Sequence, residues 1–196
     1  MSLLDYFRKR DFKKTSEPKS GKSKAKTLSF VVQRHHASHL HYDFRLELDG
    51  VLKSWAIPKG PSMNPGDKRL AMMVEDHPYN YRNFEGIISN GNYGAGVVFI
   101  WDKGTYESLA EKRADDNDTL REGLESGNLK FRLKGHILKG EFALVKMHTG
   151  DNNAWLLIKH KDEYAVGKFN PEAFVPGAIK AMKNNKSGKA IALPPI

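Results

Sequence analysis

From His41 to Leu48 the chain reads HYDFRLEL, polar and apolar residues in strict alternation. A second alternating run, VLKSWAIP, follows immediately after Asp49-Gly50. Side chains alternate across a strand, so His41, Asp43, Arg45 and Glu47 share one face while Tyr42, Phe44, Leu46 and Leu48 take the other, toward a core. Asp-Gly between two such runs is the strongest short-range signal for a hairpin. Further strands are predicted over 28–33 (LSFVVQ), 69–76 (RLAMMVED) and 96–107 (GVVFIWDKGTYE), the last with a turn at Asp-Lys-Gly. Three more follow at 129–135, 136–147 and 154–161. A short helix is expected over 2–10. Another is expected over 118–126, with Asp118 as N-cap and Gly127 just past its end. At least seven strands at short spacing with little helix predict a mainly β domain, an antiparallel barrel or sandwich with short flanking helices.

The ends read differently. Residues 15–27 (TSEPKSGKSKAKT) have no apolar periodicity and read as a tether, and Pro, Lys, Asn and Gly dominate after 168. The expected division is therefore a basic helical arm and tether over 1–27, a barrel domain over 28–167, and a basic, loosely packed tail over 168–196.

Composition sharpens this picture in two places. A chain of 196 residues, 39% hydrophobic, is large enough for one real core, and it has no cysteine, which excludes disulfides and thiolate metal ligands. No apolar run reaches membrane-spanning length, and the N-terminus runs from a short apolar patch into charge, the reverse of a secretory signal. A cytoplasmic protein is the expectation. The net charge of +9 is unevenly placed: residues 1–26 carry nine basic and three acidic residues, 168–196 carry five and one, and 27–167 carry 18 and 19. A polyanion partner would thus meet the two ends or a local patch on a body that is otherwise balanced. Lys-rich ends that merely aid solubility are the bland alternative.

Four of the eight histidines lie between positions 35 and 41. Residues two apart on a strand lie roughly 6.6 Å apart on one face, so His41 and Asp43 can converge on one ion. His35 can return as a third ligand if the HHASHL segment turns. Two imidazoles and a carboxylate leave open positions for water and substrate; manganese, iron and zinc all suit such a set. A merely solvated polar face is the competing reading. Lys59, Arg69, His77, Tyr81 and Arg82 add cations and proton donors of the kind a phosphate needs. The glycine-rich SNGNYGAG (89–96) precedes a strand instead of opening a helix, so it fits neither nucleotide-binding fingerprint and reads as a turn.

The stretches FVVQRHHASHLHYDFRLELDGVLKSWAIPKGPS, RLAMMVEDHPYNYRNFEG and NYGAGVVFIWDKGTYE together resemble the 3′-phosphoesterase module of bacterial DNA ligase D. YFRKRDFKKTSEP and LKGEFALVKM…WLLIKHKDEYA extend the resemblance over roughly residues 6–165. It implies a compact β-barrel with a groove that trims DNA or RNA-tipped DNA 3′ ends in non-homologous end joining. Such an enzyme uses manganese to remove a terminal ribonucleoside and then the 3′-phosphate. By motif position His35, His41 and Asp43 would be metal ligands. Arg45 and His77 would act on the phosphate, with Lys59, Arg69, Gln33 and Tyr81 close by, and Arg10, Asp11 and Glu17 would serve the diesterase step. His36 and His39 stand where relatives often have Asp and Arg. The chain starts at Met1 and holds no ligase or polymerase sequence, so it reads as a stand-alone form whose partners would be a separate ATP-dependent ligase and end-joining proteins. Two rivals remain at this point: a non-catalytic DNA-end-binding module, and an iron oxygenase-like barrel, which has no need of so many phosphate partners.

Overall fold

The computed structural model describes residues 2–21, 23, 27–109, 116–148 and 150–182. The hairpin forms as its turn residues demand. β2 (Leu40–Leu48) and β3 (Val51–Ile57) pair from Tyr42↔Ile57 to Leu48↔Val51. Asp49 and Gly50 both sit at positive φ, 54° and 76°. These are the left-handed conformations a two-residue turn needs to match the strand twist. Arg121 on α2 (Asp116–Ser126) donates to Asp49 at 2.6 Å and ties the hairpin tip to that helix.

Eight antiparallel strands close the barrel. In spatial order they are β1 (Leu28–His36), β2, β3, β4 (Arg69–Pro78), β9 (Ala154–Lys159), β8 (Lys139–Lys146), β7 (Asn128–Gly135) and β6 (Gly96–Ser108), with β6 returning to β1. A three-residue β5 (Gly86–Ile88) lies on the free side of one end of β6. The interior is filled by Phe30, Phe44, Trp55, Phe131, Phe142 and Leu144, none more than 2% exposed. Closure leaves only short edges open to another sheet.

The expected Asp-Lys-Gly turn is not a turn: β6 runs straight through it. Val32 faces Asp102 while Gln33 faces Ile100, so Trp101 is the extra residue of a bulge. The buried Asp102 carboxylate accepts the backbone N–H groups of His136, Ile137 and Leu138 at 2.7–3.2 Å. Gly104 lies so near β7 that a Cβ there would fall 2.2 Å from the Lys134 carbonyl oxygen. Turn-like residues serve here as a long-range anchor and a close approach between strands.

Both ends also pack more tightly than their composition suggests. A second apolar cluster (Tyr6, Leu52, Tyr79, Tyr81, Phe84, Ile88, Val98) covers the outer face of β1–β3. Tyr6 comes from α1 (Leu3–Arg8), Tyr79, Tyr81 and Phe84 from the 3₁₀ turn Tyr79–Asn83 and its end, and Ile88 from β5, while Leu52 of β3 and Val98 of β6 meet them from the barrel wall. The segment read as a tether folds back onto this layer: Pro18 accepts from the Tyr6 hydroxyl at 2.7 Å, and Glu17 is buried. Residues 22 and 24–26 of that segment lie outside the described residues. Residues 168–182, expected to be loose, plug the barrel end nearest His36. Val175 and Ile179, the latter on α3 (Gly177–Ala181), are buried in the main core. Arg34 grips Glu172 with two hydrogen bonds at 2.8 and 3.0 Å, and Tyr42 also donates to Glu172. Residues 183–196 lie outside the described residues. No helix among the described residues is long and apolar enough to cross a membrane.

Candidate active site

The odd-numbered face of β2 points away from the barrel interior, yet it is not a solvated surface. It forms the floor of a cleft of about 450 Å³ between the barrel wall and the layer of α1, the N-terminal arm and the 79–95 segment. Cross-strand pairing places His35 directly opposite His41, with ring centroids 4.7 Å apart. Asp43, two residues along the same face, brings Oδ2 within 3.4 Å of His35 Nδ1 and Oδ1 within 3.7 Å of His41 Nε2. These three ligand atoms lie within 4.8 Å of one another.

The outer ring nitrogens decide what this set can hold. His35 Nε2 meets the Gly94 carbonyl at 2.8 Å, and His41 Nδ1 meets the His39 carbonyl at 3.0 Å. A carbonyl only accepts, so each outer nitrogen carries the proton, and the inner nitrogen of the neutral ring presents a lone pair. Two lone pairs and a carboxylate aimed at one point suit a divalent cation, and carbonyl-bound outer nitrogens are the usual device that orients histidine ligands. Burial would raise the Asp43 carboxyl, but the Arg45 guanidinium beside it holds it well below the usual carboxylate range. It stays ionised, as a ligand must.

Arg45 is fixed on three sides: Nε donates to Gln33 at 2.8 Å, Nη1 to Ser54 at 2.9 Å and Nη2 to Asp43 at 3.0 Å. Gln33, itself fully buried, is oriented by donating to the Tyr81 and Phe84 carbonyls. His77 donates from Nδ1 to the Glu75 carbonyl at 2.8 Å and accepts at Nε2 from Arg10 Nη2 at 3.3 Å. Burial, reinforced by Arg45 and Arg10, pushes its pKa well below the ordinary histidine value, so the ring is neutral. The Tyr81 hydroxyl donates to Glu17 at 2.9 Å, and burial together with the Glu17 charge raises its pKa well above 10. Arg10 binds Glu17 and Glu75 at 2.9 and 3.1 Å and lies over the Tyr6 ring. Lys9 reaches Glu75 at 2.9 Å.

Glu75, Ser54, Lys9 and Tyr93 belong to this cleft and its supports, and strict strand alternation does not find them. Glu75 shows why. Leu52 faces His77 but Ser54 faces Val74, so Lys53 alone lies opposite both Glu75 and Asp76. This bulge changes the phase of β4. Met72, Val74, Glu75 and His77 all line the cleft, while Asp76 turns away to Lys53 at 2.8 Å. The available signal was the acidic pair beside His77, which breaks the alternation of the run before it.

Of the residues singled out from sequence, His35, His41, Asp43, Arg45, His77, Tyr81 and Arg10 line one cleft, with Gln33 and Glu17 holding them from behind. Four do not line it: Arg82 lies over the Tyr79 ring and borders a different pocket. Lys59 is exposed on the turn after β3. Arg69 donates to Asp67 at 2.8 Å at the start of β4. Asp11 is exposed on a surface turn, paired with Lys14 and the Lys13 backbone. His36 binds the Met182 carbonyl, toward the C-terminal plug.

Residues 33–146 match the family model described as the DNA Ligase D 3′-phosphoesterase domain. The multifunctional non-homologous end joining protein LigD of Pseudomonas aeruginosa is 51% identical over 164 residues, 82% of this chain and 19% of that protein. The multifunctional non-homologous end joining DNA repair protein LigD of Mycobacterium tuberculosis is 41% identical over 190 residues, 92% of this chain and 23% of that protein. The chain thus spans about a fifth of the length of these relatives.

Proposed function

The chain belongs to the DNA ligase D 3′-phosphoesterase domain family, and from that premise we propose that it is a metal-dependent phosphoesterase that heals DNA 3′ ends. It removes a terminal ribonucleoside and then the remaining 3′-phosphate, leaving a 3′-hydroxyl that a DNA ligase can join. In the first hydrolysis water adds to phosphorus and the bond to the nucleoside 5′ oxygen breaks. In the second, the bond to the DNA 3′ oxygen breaks. The observation that carries this reading is the contact between the three-ligand cluster and Arg45, whose Nη2 lies 3.0 Å from Asp43.

Manganese or another divalent transition metal held by His35, His41 and Asp43 would supply Lewis acidity toward a phosphate oxygen and a readily deprotonated water. The protein's own charges in the cleft balance: Asp43, Glu75 and Glu17 against Arg45, Arg10 and Lys9. Affinity for a phosphate dianion is therefore expected to depend on the cation. Arg45 spends three of its five N–H groups on fixed partners, so one on each terminal nitrogen remains for phosphate oxygens as charge grows on them. His77, neutral and accepting from Arg10, orients that guanidinium in the resting site. Tyr81 keeps its proton at neutral pH and in the resting site donates it to Glu17; release of that bond would free the hydroxyl as a hydrogen-bond donor for the departing oxygen.

Incubation with manganese and two end-labelled DNA strands tests the proposal, one strand ending in a 3′-phosphate and one in a single ribonucleoside. Both should convert to a 3′-hydroxyl end, and a chelator should stop both conversions. Binding of the strands with no turnover would make the chain a non-catalytic end-binding module instead.

A further inference from the structure

We propose that Tyr93 is the stacking platform for the base of the 3′-terminal nucleoside, and that it thereby sets the balance between nucleoside removal and phosphate removal. This rests on the phosphoesterase reading above and names the part of the substrate that the cleft grips beyond the phosphate. Two tyrosines line the cleft and they are built differently. Tyr81 is buried, whereas Tyr93 leaves 52% of its surface exposed. A ring so exposed contributes little to the core, and its position at the cleft is held by other means. Gly91 and Gly94 take positive φ, 85° and 74°. Asn92 donates to the Ser89 carbonyl from both backbone and side chain, and Ala95 donates to the Asn92 carbonyl. The adjacent Gly94 carbonyl is the partner of His35. The loop therefore fixes an aromatic ring one residue away from the group that orients a metal ligand.

The surroundings of the ring fit a nucleotide. Lys9 Nζ lies over the ring 4.7 Å from its centroid and the Arg10 guanidinium 5.7 Å from it, so cations stand against an aromatic ring that still exposes half its surface at the mouth of the cleft. Aromatic rings beside cations bind nucleobases by stacking, with little preference among bases, because every base offers a π face. The cleft, at about 450 Å³, is of small-molecule size. A single nucleoside fits that scale and a duplex does not, so the retained strand must approach from open solvent while the terminal nucleoside occupies the cleft. A 3′-phosphate end has no base at that position and gains nothing from the ring.

The experiment compares the intact chain with Tyr93→Phe and Tyr93→Ala on three manganese-supplemented substrates: a terminal ribonucleoside, a terminal abasic ribose and a 3′-phosphate. Tyr93→Ala should lower kcat/KM on the ribonucleoside strand by roughly tenfold more than on the phosphate strand, the size of a lost base stack. Tyr93→Phe should retain the wild-type preference. On the abasic strand the wild type should already be slow and the alanine variant no slower. A second readout does not need turnover: the fluorescence of a terminal 2-aminopurine ribonucleoside, bound in the presence of calcium, should be quenched by the wild type and Tyr93→Phe but not by Tyr93→Ala. Equal kinetic losses on ribonucleoside and phosphate strands, or unchanged quenching in Tyr93→Ala, would overturn the assignment. If the wild type hydrolyses neither strand, the phosphoesterase reading fails, while the quenching comparison still decides whether Tyr93 stacks a terminal base.

Discussion

The two faces of β2 are buried to a similar degree and are built from opposite chemistry. Inward lie Tyr42, Phe44, Leu46 and Leu48; outward lie Asp43, Arg45 and Glu47, none of these more than 7% exposed, with His41 at the cleft. An apolar side chain asks its neighbours only for shape and volume. A buried polar one asks for a particular partner at a particular atom. Asp43 has its histidines and Arg45, Arg45 has Gln33 and Ser54, and Glu47 accepts the Ser29 backbone and hydroxyl at 2.9 and 2.6 Å. Burial on one side thus gives stability, and on the other it gives a preorganised charge arrangement that solvent cannot relax.

Substitutions on the two faces should separate these roles. His41→Ala and Asp43→Ala should each cut turnover on both substrates by roughly a thousandfold or more, because each removes one of three ligands. Manganese titration by calorimetry should show the lost affinity, with the fold retained in thermal melts; near-wild-type turnover at saturating manganese would refute the ligand assignment. Phe44→Ala, one residue away on the opposite face, should instead cost about 3–5 kcal/mol of stability in urea unfolding. Its remaining folded fraction should bind manganese normally. Glu17→Ala leaves Arg10 and the Tyr81 hydroxyl short of a buried partner, and a stability loss of roughly 3 kcal/mol is expected. If the arm serves the nucleoside beyond the phosphate, this variant should slow ribonucleoside removal more than phosphate removal, and equal loss would argue against it.

A smaller effect should appear with pH. His77 has a folded-state pKa well below its unfolded value, so in the window below neutral where an ordinary histidine titrates, about 6.5, the unfolded chain binds a proton that the folded chain refuses. Stability should fall on acidification through this window, and the urea midpoint of His77→Gln should fall less than that of the wild type. An identical fall would place the sensitivity elsewhere. The smallest effect belongs to Asp11→Ala. Its carboxylate faces solvent and meets only Lys14 and the Lys13 backbone, so both activities and stability should stay close to those of the wild type. A large and selective loss of nucleoside removal would restore Asp11 to the substrate side.

What could be read from the sequence divides along the same physical line. The β2–β3 hairpin, its register and the His41/Asp43/Arg45 face were legible because strand periodicity and the Asp-Gly turn are local properties. The part of the site taken from family motifs, such as His77, reached the cleft through a bulge that periodicity does not register. Asp102 and Gly104 looked like turn residues because their roles depend on β7 and the segment after it, 30 or more positions away. Arg10 ends an expected short helix, and Glu17 and Glu172 sit in segments whose composition reads as tether or tail. They are fixed by partners at 65, 64 and 138 residues' separation respectively, which no local window contains.

The irregularity in β4 makes chain length a control on chemistry. Substitution at Asp76 would change one ion pair with Lys53, but loss of the residue itself would return the strand to a two-residue rhythm. Glu75 would then swing toward the side Asp76 now occupies, leaving Lys9 and Arg10 without their shared carboxylate and the N-terminal arm without its clasp. A single codon's deletion would so undo in one step what several point changes together would be needed to achieve. A one-residue deletion in this short segment is therefore expected to disturb the site more than any substitution at Asp76.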